Sequence, residues 1–171
     1  MVAHNYEETN HKVMVGKPQL DTRDGEYITS RALNVKRQVD FTVDTDASGF
    51  MYNLVKDKKP DVLLIDEAQF LSTHQIDELA NIVDNFNIPV MAYGLRTDAF
   101  TNLFEGSRRL FEVADKFQEF KTVCPHCGRK AIFNMRMDKD NNPIFNGDQI
   151  SPGTHYLPVC RKRYEDLKKN K

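Results

Sequence analysis

The sequence predicts an α/β fold: a parallel-sheet core followed by a small C-terminal β lobe of zinc-ribbon type. Three observations carry this. Apolar runs of strand length alternate with amphipathic helical patterns between residues 13 and 117, which implies right-handed βαβ crossovers. One run, Val62-Leu63-Leu64-Ile65, is apolar throughout and stops at two adjacent carboxylates, Asp66 and Glu67; a strand buried on both faces of a parallel sheet reads this way. From about Phe120 the character changes, with Cys124-Pro-His-Cys127-Gly, short alternating segments and a third cysteine, Cys160. The expected division is a core over 1–119 and a lobe over 120–171.

The 171 residues suit one domain with a small appendage, and 40% hydrophobic with 29% charged residues is ordinary for a soluble globular protein. A net charge of -1 gives no electrostatic case for nucleic acid or an acidic membrane as partner. No apolar run approaches the roughly 20 residues that span a bilayer, and the N-terminus has no apolar signal region. Three cysteines, two of them as Cys-x-x-Cys, fit a reducing compartment and a metal site better than a disulfide framework. A cytoplasmic location is the expectation.

Along the chain, residues 1–10 read as the tail of a helix stopped by Asn10. Val13-Met14-Val15 is a short strand closed by Gly16-Lys17-Pro18. Asp21-Thr22-Arg23-Asp24-Gly25 is a polar loop past that strand, where an Arg fork could clamp phosphate and Asp21 could reach a metal; the alternative is an Asp-Arg pair on a solvated turn. Residues 26–38 read as a flap or hairpin and 39–43 as a strand. A helix over 48–58 has Ser48 as its cap and Phe50, Met51, Leu54 and Val55 at helical spacing. Ser72-Thr-His-Gln75 is a capping-box pattern, followed by the stripe Ile76, Leu79, Ala80, Val83 and Phe86; His74 reads as a first-turn surface residue. Residues 88–93 form the next strand, ended by Gly94. A loop runs from Leu95 to Phe104, and Leu110, Phe111, Val113, Ala114 and Phe117 suggest one more short helix. In the lobe, 131–137 and Ile144-Phe145 flank a turn and make a hairpin. The basic end, Lys168 to Lys171, reads as frayed.

The chemistry concentrates after Ile65. Ligands of open α/β sheets sit at the carboxyl ends of strands. An Asp directly after a hydrophobic strand is the Walker B arrangement, which holds Mg²⁺ on a nucleoside triphosphate. A second carboxylate beside it can take a proton from an attacking hydroxyl. The alternative is a strand end with an ordinary polar turn. In the lobe, Cys124-x₂-Cys127 on a glycine knuckle is half of a zinc-ribbon site. The other half gives only Cys160, with Arg163 where a fourth ligand is due; Arg cannot ligate because it stays protonated. His126 or His155 is a candidate fourth ligand, and an unmetallated lobe with three free thiols is the alternative.

Taken together, His4-Asn-Tyr-Glu-Glu8, Lys17-Pro18, Asp21-Thr-Arg23, Ile65-Asp-Glu-Ala-Gln-Phe70, Tyr93-Gly-Leu-Arg-Thr-Asp98, Leu103-Phe-Glu-Gly-Ser107, Lys121-Thr122, the Cys-x₂-Cys, Gly147-Asp-Gln149 and Val159-Cys-Arg-Lys162 resemble, in collinear order, the zinc-containing (type II) thymidine kinases of the bacterial branch. The resemblance implies a P-loop-NTPase-like core and transfer of the γ-phosphoryl of ATP to the 5′-hydroxyl of deoxythymidine, in the family's usual homotetramer. It implies Glu67 as the base on that hydroxyl and Asp66 on the Mg²⁺ side. Ala68 and Gln69 would share the nucleotide-contacting stretch, and Asp21 and Arg23 would serve phosphate and metal. Phe70, Leu95, Phe104 and, near the family's aromatic position, Phe100 would wall the thymine pocket, with Tyr156 stacking beside the base. A lasso loop of about 150–155 would read the base edge through its backbone. Cys124, Cys127 and Cys160 would hold a structural Zn²⁺.

Four departures set further expectations. None of the eight glycines lies in a Gly-x₄-Gly-Lys-[Ser/Thr] loop; in the family that phosphate cradle precedes the helix in which Met1 falls. The expectation is a kinase whose sequence starts late, or alternatively a truncated, non-catalytic paralogue that binds nucleoside or assembles with a complete kinase chain. Arg163 replaces a metal ligand, Ala99 replaces an aromatic, and 151–155 is about two residues short of the family's lasso spacing.

Overall fold

The computed structural model describes residues 2–20, 25–30, 35–149 and 155–169. They form two compact units, Met1–Leu95 with Phe104–Ala114, and Arg96–Leu103 with Asp115–Lys171.

The first unit contains α1 (Val2–Glu8), β1 (Val13–Pro18), a hairpin of β2 (Tyr27–Ser30) and β3 (Val35–Gln38), β4 (Phe41–Val43), α2 (Phe50–Lys58), β5 (Val62–Ile65), α3 (Thr73–Phe86), β6 (Val90–Ala92) and α4 (Glu105–Val113). Its sheet has the order β4-β1-β5-β6, and every pairing is parallel. The apolar run of β5 is buried along its whole length. Leu63 and Ile65 pack with Met51, Val55, Ile76, Leu79 and Ile82 on one face. Val62 and Leu64 pack with Val15 and the helix residues Val2, Ala3 and Tyr6 on the other. This two-sided burial is why β5 shows no polar alternation.

Four sequence expectations are corrected here. β1 does not close at Gly16. It runs on to Pro18, because Gly16 pairs with Phe41 on one side and Ile65 on the other, and the Phe41 ring fills the place of a Cβ. Ser48 does not cap α2. The cap residue is Gly49, at φ 71° and without a side-chain cap bond, while Ser48 Oγ hydrogen-bonds His74 Nε2 at 2.7 Å. The stripe of α3 includes Ile82, fully buried, which the expected spacing passed over. The last helix of this unit begins at Glu105 and ends at Val113, leaving Phe117 outside it. Its first turn packs by close backbone approach, so no apolar side chain announces it. The capping box at Ser72 and Gln75 forms as expected.

The second unit contains β7 (Thr122–Val123), β8 (Lys130–Ala131), β9 (Phe133–Met137), β10 (Pro143–Ile144), β11 (His155–Val159) and α5 (Arg161–Lys169). β9 is the centre of an antiparallel sheet ordered β10-β9-β11, and β7 and β8 form a separate small ribbon. The core is Cys124, Met135, Met137, Val159, Cys160 and Tyr164. The Tyr164 ring lies 5.1 Å from Phe133 and 5.5 Å from Phe145. Its hydroxyl donates to the carbonyl of Ala99 at 3.0 Å, fastening the 96–103 segment. Of the expected frayed end, Lys168 and Lys169 instead lie inside α5, and 170–171 lie outside the described residues. That helix is nearly all charged, and its few apolar residues, Tyr164 and Leu167, are too sparse to read as a stripe.

Candidate active site and metal centre

β5 delivers its two carboxylates at the carboxyl end of the sheet. The backbone turns sharply there: Glu67 sits at φ 51°, ψ 35°, a left-handed conformation that L side chains adopt at a cost. Flanking strands hold the turn. Asp66 N–H donates to Gly16 C=O at 3.0 Å, and Ala68 N–H to Tyr93 C=O at 2.8 Å. Asp66 Oδ1 accepts the Glu67 N–H at 3.0 Å. Both acids are half-buried.

Gln69 is buried and ties the turn to the next loop. Its side-chain amide donates to Glu67 Oε2, and its carbonyl oxygen accepts the Leu95 N–H at 3.0 Å. Ser107 Oγ donates to the Leu95 carbonyl at 2.6 Å. The approach is close enough to demand glycine twice. A Cβ on Gly94 would lie 3.1 Å from the Gln69 backbone nitrogen, and one on Gly106 would lie 2.6 Å from the Leu71 carbonyl oxygen. Phe70 and Phe104 meet edge to face with centroids 5.5 Å apart. Phe104 is buried, whereas Leu95 is exposed. Within this unit the structure therefore brings together Asp66, Glu67, Ala68, Gln69, Phe70, Leu95 and Phe104. Asp21, Arg23 and lasso residues 150–154 lie outside the described residues.

Two side chains here, Lys17 and Tyr93, belong to the matched motifs but were given no role by the sequence. Lys17 is buried on β1, one step beyond the Gly16–Ile65 pair, and its Nζ donates to the Tyr27 carbonyl at 3.2 Å. A lysine inside a strand of a buried sheet was the available signal. Burial pushes the Tyr93 phenol up from its ordinary pKa, and Tyr6 and Asp66 add to the shift.

In the second unit Asp98 is buried and organises its loop. Oδ1 accepts the N–H groups of Phe100 and Asn102, each at 2.9 Å, and Oδ2 accepts from Gln149 Nε2 at 3.1 Å. Ala99, the departure from the family aromatic, is buried. Phe100 is half-buried and Tyr156 is exposed on β11.

The three thiols of Cys124, Cys127 and Cys160 lie within 4.8 Å of one another. A tight turn sets the first two, with the N–H groups of Cys127 and Gly128 both donating to the Cys124 carbonyl and Gly128 at φ 68°. The backbone N–H of Cys160 is the main reason that the Cys124 thiol falls to about 7. Cys127 moves up: although the Arg129 N–H pulls its thiol down, the neighbouring thiol of Cys160, burial and Cys124 together outweigh it. A set of soft sulfur donors at this spacing suits zinc. The metal-ligating group among the described residues contains neither His126 nor His155. Arg163 supplies no ligand and instead donates its backbone N–H to Cys160 Sγ at 3.4 Å.

The family model described as thymidine kinase matches residues 1–164. The chain is similar to a thymidine kinase of Streptococcus gordonii, 46% identical over 166 residues, covering 95% of this chain and 85% of the relative. It is 44% identical to a thymidine kinase of Streptococcus pyogenes serotype M3 over 165 residues, 95% and 86% of the two chains. It is 42% identical to a thymidine kinase of Enterobacteria phage T4 over 172 positions, 99% and 88% of the two chains. The chain belongs to the thymidine kinase family.

Proposed function

We propose that this protein transfers the γ-phosphoryl group of ATP to the 5′-hydroxyl of deoxythymidine. The match of the family across 164 residues carries this reading, and identity of 42% to 46% with proteins named thymidine kinase does not favour a non-catalytic paralogue. The residues suit the chemistry. Phosphoryl transfer depends mostly on positioning and charge neutralisation, and the turn after β5 is held from both sides by hydrogen bonds. Glu67 takes the proton of the 5′-hydroxyl as it attacks. The Gln69 amide holds that carboxylate in one orientation. Asp66, a half-buried acid at a strand end, is the residue to hold Mg²⁺, a hard cation suited to carboxylate oxygens. Mg²⁺ when bound neutralises charge on the β- and γ-phosphates. Asp21 and Arg23 serve phosphate and metal, and Ala68 and Gln69 share the nucleotide contact.

Phe70, Leu95 and Phe104, and likewise Phe100 and Tyr156, contact the thymine. Cys124, Cys127 and Cys160 would hold a structural Zn²⁺ through their sulfurs. The working assembly is a homotetramer in the cytoplasm, with no nucleic acid or membrane as partner; no described helix is long and apolar enough to cross a membrane. Transfer of labelled phosphate from ATP to deoxythymidine tests the reading. Product that forms with the wild type and fails with Glu67→Gln supports it; equal rates remove Glu67 from the role.

A further inference from the structure

Arg136 lies on β9, next to its last residue, with only 2% of its surface exposed. A buried guanidinium is costly unless its charge and donors are matched. Among the described residues no carboxylate pairs with it. Two aromatic rings and a carbonyl surround it instead. Its guanidinium carbon lies 5.1 Å from the centre of the Phe100 ring and 5.8 Å from that of Tyr156. Nη2 donates to the Gln149 carbonyl at 2.9 Å. Tyr156 is its cross-strand partner in the β9–β11 register, so the sheet itself fixes that contact. Nε is buried without a hydrogen-bond partner, which leaves the two π faces as a main compensation for the charge.

These contacts close into a circuit. Arg136 holds Gln149 by its carbonyl, Gln149 holds Asp98 by its side-chain amide, and Asp98 accepts the Phe100 N–H. Phe100 returns to Arg136 through its ring. Loop 96–103, β9, β11 and the residue just before the lasso segment are thus joined through one cation.

We infer that Arg136 is a positioning residue for the nucleoside base: it sets Phe100, Tyr156 and the backbone at Gln149, without touching substrate itself. This rests on the thymidine reading of Phe100 and Tyr156 given above. A planar cation is needed because it can lie against rings while its edge donates in plane. Lysine keeps the charge and loses both features.

The test is calorimetric binding of deoxythymidine and of ATP to the wild type and to Arg136→Lys, with zinc content and melting temperature as checks on the lobe. The expected result is a Kd for deoxythymidine at least about tenfold higher, a Kd for ATP within about twofold, and zinc retained. An unchanged Kd for deoxythymidine in a folded Arg136→Lys protein overturns the inference. Gln149→Met, at an exposed position, breaks the same circuit should the arginine variant fail to fold. It is expected to weaken deoxythymidine about threefold and ATP not at all, and no change for either ligand again overturns the inference. A wild type that binds no deoxythymidine overturns the thymidine reading itself, which separates the two failures.

Discussion

The side-chain amide of Gln69 donates to the carboxylate of Glu67, two residues earlier on the same turn. The other end of that amide accepts the Leu95 N–H. Glu67 is therefore aimed by a buried side chain that is itself fixed from a neighbouring loop. Replacing Glu67 with Gln keeps the shape and removes the basicity. The rate of phosphoryl transfer should fall about 10²- to 10⁴-fold, with deoxythymidine binding nearly unchanged by calorimetry.

The backbone of Glu67 yields a prediction about stability. A glycine meets no steric penalty at φ 51°, whereas a non-glycine residue in that region costs about 1 kcal/mol. Glu67→Gly should therefore be inactive, while the backbone relief offsets the loss of the bond from the buried Gln69 amide, leaving the melting temperature within about 2 to 4 °C of the wild type. A clear fall in melting temperature would show that the turn relies on the Glu67 side chain for its stability.

Glu105 links the start of α4 to the start of α3. Its Oε1 accepts the Thr73 N–H at 2.7 Å, and this bond is the main reason that its carboxyl falls below the usual range. A lowered folded-state pKa stabilises above the unfolded value and is lost as pH falls through the folded one. The group is exposed, so the effect is modest, about 0.5 kcal/mol at low salt. Urea titrations of Glu105→Gln should show a deficit above about pH 5 that disappears in more acidic buffer. A deficit of equal size at all pH values would point to lost packing instead.

The thiol cluster predicts metal-dependent stability in the lobe. Removal of zinc by a chelator should lower the melting temperature and expose all three thiols to a colorimetric reagent, since a metal bound only by the folded state stabilises it. Cys124→Ser should reproduce the effect, because Cys124 is fully buried with its sulfur facing the other two. Thiols equally reactive before and after chelation would argue for a metal-free lobe.

Much of the fold was legible where burial leaves a mark on composition. β5 could be read because both faces of the sheet exclude polar residues, and the capping box of α3 because its hydrogen bonds need particular side chains. The helices at 105–113 and 161–169 were harder. The first begins on glycine-mediated backbone contact, and the second carries too few apolar residues for periodicity to detect. In the site, Asp66 and Glu67 stood out as charge ending an apolar run. The roles of Asp98 and Arg136 could not be read in the same way. Their partners lie 51 and 13 residues away in Gln149, and only folding places them together.

The turn that carries the two acids has no slack volume. Ala68 is completely enclosed, and Gly94 and Gly106 each press against the backbone of that turn. A methyl group added at either glycine must displace Gln69 or the 3₁₀ turn, and with it the aim of an acid several residues distant. Substitutions at positions that carry no reactive group thereby reach the two acids through the backbone alone.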